Sequence, residues 1–386
     1  MKTTLRQICE IVSDKLSVNE LINANLTSTY ISTENMLPNK GGVVASSSVP
    51  TTGKVTAYKT GDVLVSNIRP YFKKIWFASN DGGCSNDVLV FRAKKDISPE
   101  YLHYVLADDS FFDYAMKTSK GTKMPRGDKK ALMEYGIVEM DYSSQCQAAA
   151  ILKRIDELIK TNTKINENLE QQAQAIFKSW FVVFEPFGGV MPDDWKSANL
   201  LDIADYLNGL AMQKYRPVND EVGLPVLKIK ELRQGFCDDN SELCSPNIKR
   251  DYIVQNGDVI FSWSGSLLVD FWCGGKCGLN QHLFKVSSKN FDKWFYYIWT
   301  KYHLNRFIAI AADMATTMGH IKRSELEKSL VLIPNETDYV EIGNLLKPIY
   351  ETIIINRIEN QRLATLRDTL LPKLMNGEID VSQVQI

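Results

Sequence analysis

The sequence predicts an α+β chain: two similar mixed α/β domains, each followed by a long helix, with the two helices packed on each other about an internal pseudo-twofold repeat. Three observations predict this. Short segments recur in the same order in both halves, each half ends in one long heptad pattern, and a proline- and glycine-rich connector separates the halves. At 386 residues the chain exceeds one ordinary core. Its 44% hydrophobic and 24% charged residues are the balance of a folded protein.

The repeat begins with Lys59-Thr-Gly-Asp-Val-Leu-Val-Ser66, which returns as Gln255-Asn-Gly-Asp-Val-Ile-Phe-Ser262 at an offset of 196. Ser85-Asn-Asp-Val-Leu-Val-Phe91 matches Asn280-Gln-His-Leu-Phe-Lys-Val286 at 195, and Gly121-Thr-Lys-Met124 matches Ala315-Thr-Thr-Met318 at 194. The common order and slowly drifting offset mark a duplicated domain. Gly-Asp supplies a turn, and the apolar triplet after it a short buried strand. Further strands are expected at 74–78, 88–91 and 283–286, and helices at 99–106 and 291–301.

Ile151, Ile155, Leu158, Asn162, Ile165, Leu169, Gln172 and Ile176 recur in steps of four and three, as in a coiled coil. Adding 194 gives Leu345, Ile349, Thr352, Asn356, Glu359, Leu363, Leu366 and Leu370, a less pure seam in the same frame. At ~1.5 Å per residue, a helix over 144–178 runs roughly 50 Å. Neither half offers it a full set of partners, so the two long helices are expected to pack together. Asn162 and Asn356 hold equivalent seam positions, where a polar side chain fixes register. They are expected either to approach each other across the pseudo-twofold axis or to face solvent. The boundaries are 1–141 for the first domain, 142–182 for its helix, 183–194 for the connector, 195–334 for the second domain, 335–379 for its helix and 380–386 for a tail.

Catalytic signatures are missing. Neither a Gly-x-Gly-x-x-Gly turn nor a phosphate-binding Gly-x-x-x-x-Gly-Lys-[Ser/Thr] loop occurs. There is no Asn/Asp-Pro-Pro-aromatic motif, and the four histidines (His103, His282, His303, His320) show no metalloprotease spacing. The Asp-x-Lys triplets at Asp128 and Asp194 are short and common, and a metal-dependent nuclease would need a second carboxylate in a specific geometry as well. Seven cysteines, an odd count without an apolar leader, are expected to be reduced thiols. Cys273 and Cys277 have no second Cys/His pair nearby, which favours buried thiols over zinc. No stretch is long enough to span a bilayer.

A net charge of −1 puts any attraction for phosphate into local patches. Lys117, Lys120, Lys123, Arg126, Lys129 and Lys130 place six cations in fourteen residues, in a loop marked by Gly121 and Pro125. Such a loop can follow a phosphate backbone. Arg69, Lys73 and Lys74 form a second patch. In the second copy the equivalent loop is less charged. It carries Thr317, His320, Lys322 and Arg323, and Trp263, Asn280, Gln281 and His282 offer an aromatic ring and paired hydrogen-bonding groups for base edges. Two similar scaffolds with different loops suit an asymmetric, two-part DNA target. The competing class is a coiled-coil assembly protein whose α/β domains bind protein, against which the basic loop argues.

Tyr30-Ile-Ser-Thr-Glu-Asn-Met-Leu-Pro38, Gly257-Asp-Val-Ile-Phe-Ser-Trp263, Asn280-Gln-His282, Gly121-Thr-Lys-Met-Pro125 and, most specifically, Leu366-Arg-Asp-Thr-Leu-Leu-Pro-Lys-Leu-Met-Asn-Gly-Glu-Ile-Asp380 make the chain resemble the specificity subunit of a type I restriction–modification enzyme over nearly its whole length. The first copy departs from the pattern by having Ser85-Asn-Asp87 in place of Asn-Gln-His. The resemblance implies a non-catalytic cytoplasmic subunit with two target recognition domains, each reading half of a split double-stranded DNA sequence. It also implies antiparallel long helices whose length sets the gap between half-sites. Two modification (methyltransferase) subunits carrying S-adenosylmethionine would dock on these helices. Restriction subunits would bring ATP- and Mg2+-dependent translocation and cleavage. No cofactor is implied for this chain itself.

Overall fold

The computed structural model describes residues 2–121, 123–218, 220–313 and 319–381. It divides into two compact units, Met1–Glu157 with Ala364–Ile386, and Leu158–Leu363.

The first unit is built on an antiparallel sheet ordered Cys9–Ile11, Val88–Ala93, Val63–Ser66, Ile75–Phe77. Helices Pro99–Ala107 and Asp109–Lys117 follow, started by side-chain caps from Ser98 and Asp108. Their apolar faces close a core with Val63, Val65, Phe91, Leu102 and Phe111, joined by Ala148, Leu152, Leu371 and Leu374 of the long helices. A smaller sheet of Lys15–Ser17, Lys54–Tyr58 and Gly82–Cys84 stands beside it.

The second unit repeats the larger sheet with the same strand order: Asp205–Asn208, Leu283–Ser287, Val259–Ser262, Leu268–Phe271. Helices Lys293–Tyr302 and Leu304–Asp313 take the corresponding places. Its core is aromatic, with Phe177 and Phe181 of the long helix against Trp299 at centroid separations of 5.0 and 5.3 Å.

The repeated Gly-Asp turn has one physical reason in both units. Gly61 and Gly257 adopt φ of 88° and 85°, a region that penalises a Cβ. The aspartate that follows closes the turn: Asp62 accepts from the Lys59 amide at 2.7 Å and Asp258 from the Gln255 amide at 2.8 Å. Each carboxylate also meets a cation on the adjacent strand, Arg92 at 2.7 Å and Lys285 at 2.8 Å.

The long helices run Tyr142–Phe181 and Glu336–Met375. In the first unit Arg367 pairs with Asp156 at 2.9 Å. In the second, Asn162 donates to Asn360 at 3.0 Å and Asn356 to Asn166 at 2.9 Å. In the second unit residue numbers rise along one helix as they fall along the other, so the pairing there is antiparallel. Asn162 and Asn356 thus bond not to each other but each to the other's neighbour one turn away.

The expected seam frame is half displaced. Ile155 is buried, and Ile151, Leu169, Ile349 and Leu370 pack against the cores. Asn162, Asn356 and Leu363 are half-buried. Leu158 and Ile165, however, are 53% and 43% exposed, and Leu345 and Leu366 43% and 47%. The positions facing inward lie one residue later, at Ile159, Asn166, Leu346 and Arg367. The displacement is the same in both copies. Two adjacent stripes are apolar enough to form a heptad, and the inward one is interrupted by Asn166 and Arg367, whose polar groups are satisfied across the pair.

Candidate nucleic-acid interface

In the first unit, three segments far apart in sequence converge on backbone hydrogen bonds. Ile68 pairs with Arg126 in an isolated bridge, as Lys120 does across the loop. The Arg69 amide donates to the Pro125 carbonyl at 2.8 Å, and the Asn67 amide to the Asp87 carbonyl at 2.8 Å. The turn at 67–74, the triplet Ser85–Asp87 and the basic loop at 117–130 therefore form one surface.

Lys117, Lys120, Lys123, Arg126, Lys129 and Lys130 are exposed on it. Lys120 meets Asp128 at 2.5 Å and Arg126 meets Asp87 at 3.2 Å. Asp128 also accepts from the amides of Lys130 and Ala131 at the start of a short helix. The Lys120 ammonium, with these amides, holds its carboxyl below the ordinary range. Asp128 is thus a helix cap and ion-pair partner. Asp194 has a comparable structural role, accepting from Asn335 at 2.8 Å.

The other patch is spent largely on anchoring. Lys73 and Lys40 both pair with Asp109 at 2.8 Å. Burial raises the Asp109 carboxyl, but the two ammonium groups more than offset this and hold it low. Lys74 donates to the Thr33 carbonyl at 2.6 Å, and burial lowers its ammonium's pKa. Arg69 is half-buried, with Nε enclosed and unpaired among the described residues. Between these anchors stand the exposed side chains of Tyr71 and Phe72, with Met124 exposed on the basic loop. None of the three stands out in the sequence as a binding residue, because the cations flanking them dominate the pattern.

The second unit gathers Trp263, Asn280, Gln281, His282 and His320. Ser264 pairs with His320 in a bridge equivalent to Ile68 with Arg126. Trp263 lies over Phe284 at 5.6 Å, flanked by His282 and His320 at 6.2 Å each, and its Nε1 donates to Asn208 at 3.0 Å. His282 Nδ1 is 3.1 Å from the Ser264 hydroxyl. Asn280 is buried and accepts from the His282 amide at 3.3 Å, so it shapes the turn, while Gln281 and His282 are half-buried. Gly209 permits this packing, since a Cβ there would lie 2.2 Å from the Asn280 carbonyl oxygen. Asn208, 55 residues from Trp263, has no sequence signal. Lys322 and Arg323 are exposed, Arg323 donating to the Tyr206 carbonyl at 3.3 Å. Thr317 lies outside the described residues. The cluster presents amide, imidazole and indole groups, and the first unit's surface presents cations and aromatic rings.

Among the described residues, no His/Cys/Asp/Glu group could hold a metal ion. Nor is any described helix long and apolar enough to cross a membrane.

The family model for the type I restriction modification DNA specificity domain matches residues 1–171 and 192–365. The chain is 27% identical over 311 residues to the specificity subunit of the type I restriction enzyme MjaIX of Methanocaldococcus jannaschii, covering 75% of this chain and 71% of that protein. It is 22% identical over 401 residues to the HindI specificity subunit of Haemophilus influenzae, covering 84% and 87%. The crystal structure of a type I restriction–modification S subunit from M. genitalium superposes with a TM-score of 0.60 at 14% identity, covering 97% of this chain and 96% of that one, which establishes the shared fold. These matches do not favour a protein-only scaffold. With the model matched twice in tandem, the chain belongs to the type I restriction–modification DNA specificity family.

Proposed function

We propose that this chain is the non-catalytic subunit that selects the DNA target of a type I restriction–modification complex, each repeat reading one part of a two-part double-stranded sequence. The observation that carries this reading is the pair of surfaces built on one strand order from different side chains. The first combines phosphate anchors with aromatic rings, and the second offers groups able to pair with base edges.

In this reading the exposed apolar side chains of Leu158, Ile165 and Leu345 receive two modification subunits, since outward large aliphatic side chains on long helices are suited to helix packing. Those subunits supply S-adenosylmethionine and methylate adenine. Restriction subunits supply ATP- and Mg2+-driven translocation and cleavage, and the assembly works in the cytoplasm. The test is a mobility-shift titration of this chain with its modification subunit over a salt series. A sequence-dependent affinity that survives as salt weakens the phosphate contacts supports the reading. Binding indifferent to DNA sequence overturns it.

A further inference from the structure

The two repeats differ at one equivalent turn. The second copy has Gly265 where the first has Arg69, and the same hydrogen bond holds both: Gly265 amide to Gly319 carbonyl at 2.8 Å, Arg69 amide to Pro125 carbonyl at 2.8 Å. Gly265 adopts φ of 65° freely, whereas Arg69 is forced to φ 51°. The first copy keeps a conformation suited to glycine with a side chain that resists it. At the far end of the short 3-10 turn Pro70–Phe72, Lys73 is left-handed as well, at φ 50°.

This strained turn is held from three sides. Phe72 and Lys73 accept, through their carbonyls, from the amides of Asn39 and Lys40 at 2.8 and 2.9 Å. Asp109 takes the ammonium groups of Lys40 and Lys73. The Arg69 amide is tied to the basic loop. Strain maintained by this many constraints has a product, and here it is a projecting aromatic pair. Tyr71 and Phe72 are 47% and 38% exposed with ring centroids 4.6 Å apart, and Met124 is 46% exposed on the adjoining loop. Lys120, Lys123 and Arg126 are exposed on that same loop. In the second copy Leu267 is buried and Leu268 enters a strand, so no equivalent aromatic pair projects.

Building on the function proposed above, the geometry points to Tyr71 and Phe72, with Met124, as an apolar wedge that stacks on or enters a base step of the half-site read by the first domain. Exposed aromatic and aliphatic side chains between cations are what unstacking of a duplex step requires. The cations hold the phosphates on either side while the rings replace the lost base stacking. A wedge selects easily unstacked steps, so the first half-site is chosen partly by deformability, and the second by groups around Trp263 and His282. Tyr71 and Phe72 are therefore specificity-determining residues of the first domain alone.

The experiment uses the full chain in complex with its modification subunit and duplexes carrying 2-aminopurine at successive positions of each half-site other than the methylated adenines, which a methyltransferase flips out of the stack by itself. Wild type is expected to raise the fluorescence at one step of one half-site. Y71A/F72A is expected to abolish the rise and to loosen base discrimination at that step roughly tenfold, with the other half-site unchanged. F72Y, which keeps both rings, should retain the signal. Equal thermal midpoints exclude unfolding, and a melted Y71A/F72A protein leaves Tyr71→Leu, which retains bulk but loses the ring, to be judged by the same fluorescence. No fluorescence rise in wild type, or unchanged discrimination in a folded variant, overturns the wedge. So does loss of modification-subunit binding with discrimination intact, which would make the rings a protein contact. A wild type that prefers no sequence overturns the function reading itself, and the wedge with it.

Discussion

Asn162 donates its side-chain amide to Asn360 at 3.0 Å, and the pseudo-twofold image of this bond is Asn356 donating to Asn166 at 2.9 Å. The symmetry extends to the other amides: Asn166 donates to the Ile353 carbonyl at 3.2 Å and Asn360 to the Ile159 carbonyl at 3.4 Å. Four asparagines at an offset of 194 thus form two polar layers, related residue by residue. Sliding either helix by one turn would break every bond in the set.

Asn166→Leu alone is predicted to destabilise the protein by about 1–3 kcal/mol, because it strands the half-buried Asn356 amide. Adding Asn356→Leu should recover most of that loss. Urea unfolding of the two single variants and the double variant gives the coupling energy directly.

Arg357 reaches Asp270 at 2.6 Å and Glu170 at 2.8 Å, tying both long helices to the edge strand of the second unit's sheet. Burial opposes its charge, but the two carboxylates more than offset this. Arg357→Met should cost on the order of 3 kcal/mol by leaving two partly buried carboxylates without their shared partner. Arg357→Lys should restore little, since an ammonium cannot span both. Thermal unfolding measures both.

The seam frame makes a contrast that stability measurements can read. Leu346→Ala is predicted to cost about 2–5 kcal/mol. Leu158→Glu and Ile165→Glu should each change folding stability by no more than about 0.5 kcal/mol. If the outward stripe receives the modification subunits, the same two glutamates should prevent co-purification of the complex.

His103 is enclosed between Phe77 and Tyr104, and burial lowers its pKa to about 4. The unfolded chain takes up this proton near pH 6.5, before the folded form does. The first unit should therefore lose stability as pH falls from about 6.5 to 4, by on the order of 3 kcal/mol at most. His103→Phe should flatten that part of the pH–stability curve, leaving the separate contribution of His303, whose pKa is also lowered by burial.

Lys123 and Lys130 are exposed on the basic surface. Replacing both by alanine is predicted to weaken binding similarly on all sequences and to reduce the slope of log affinity against log salt by about 2. A salt titration of DNA binding checks this.

Much of this was legible in the sequence because duplication repeats its own local signals. The Gly-Asp turns, the strands after them and the long helices carry short-range chemistry that one chain displays twice. The seam frame was not fully legible. Leu158 and Ile159 are both apolar, and the decision rests on Asn166 and Arg367, whose partners lie on the other helix. The basic loop was visible as charge, but its union with the turn at Arg69 depends on a bridge between Ile68 and Arg126, 58 residues apart. Lys73 and Lys74 become anchors because Asp109 and the Thr33 carbonyl receive them, and Tyr71 and Phe72 are left at the surface, which a linear pattern cannot reveal.

The most direct test is to map methylated adenines across a genome expressing this chain with its modification subunit, then repeat the map with residues 1–141 exchanged for a relative's domain. The account predicts a two-part word with a fixed gap, only one part of which changes on exchange. An uninterrupted word, or a change in both parts together, would contradict it.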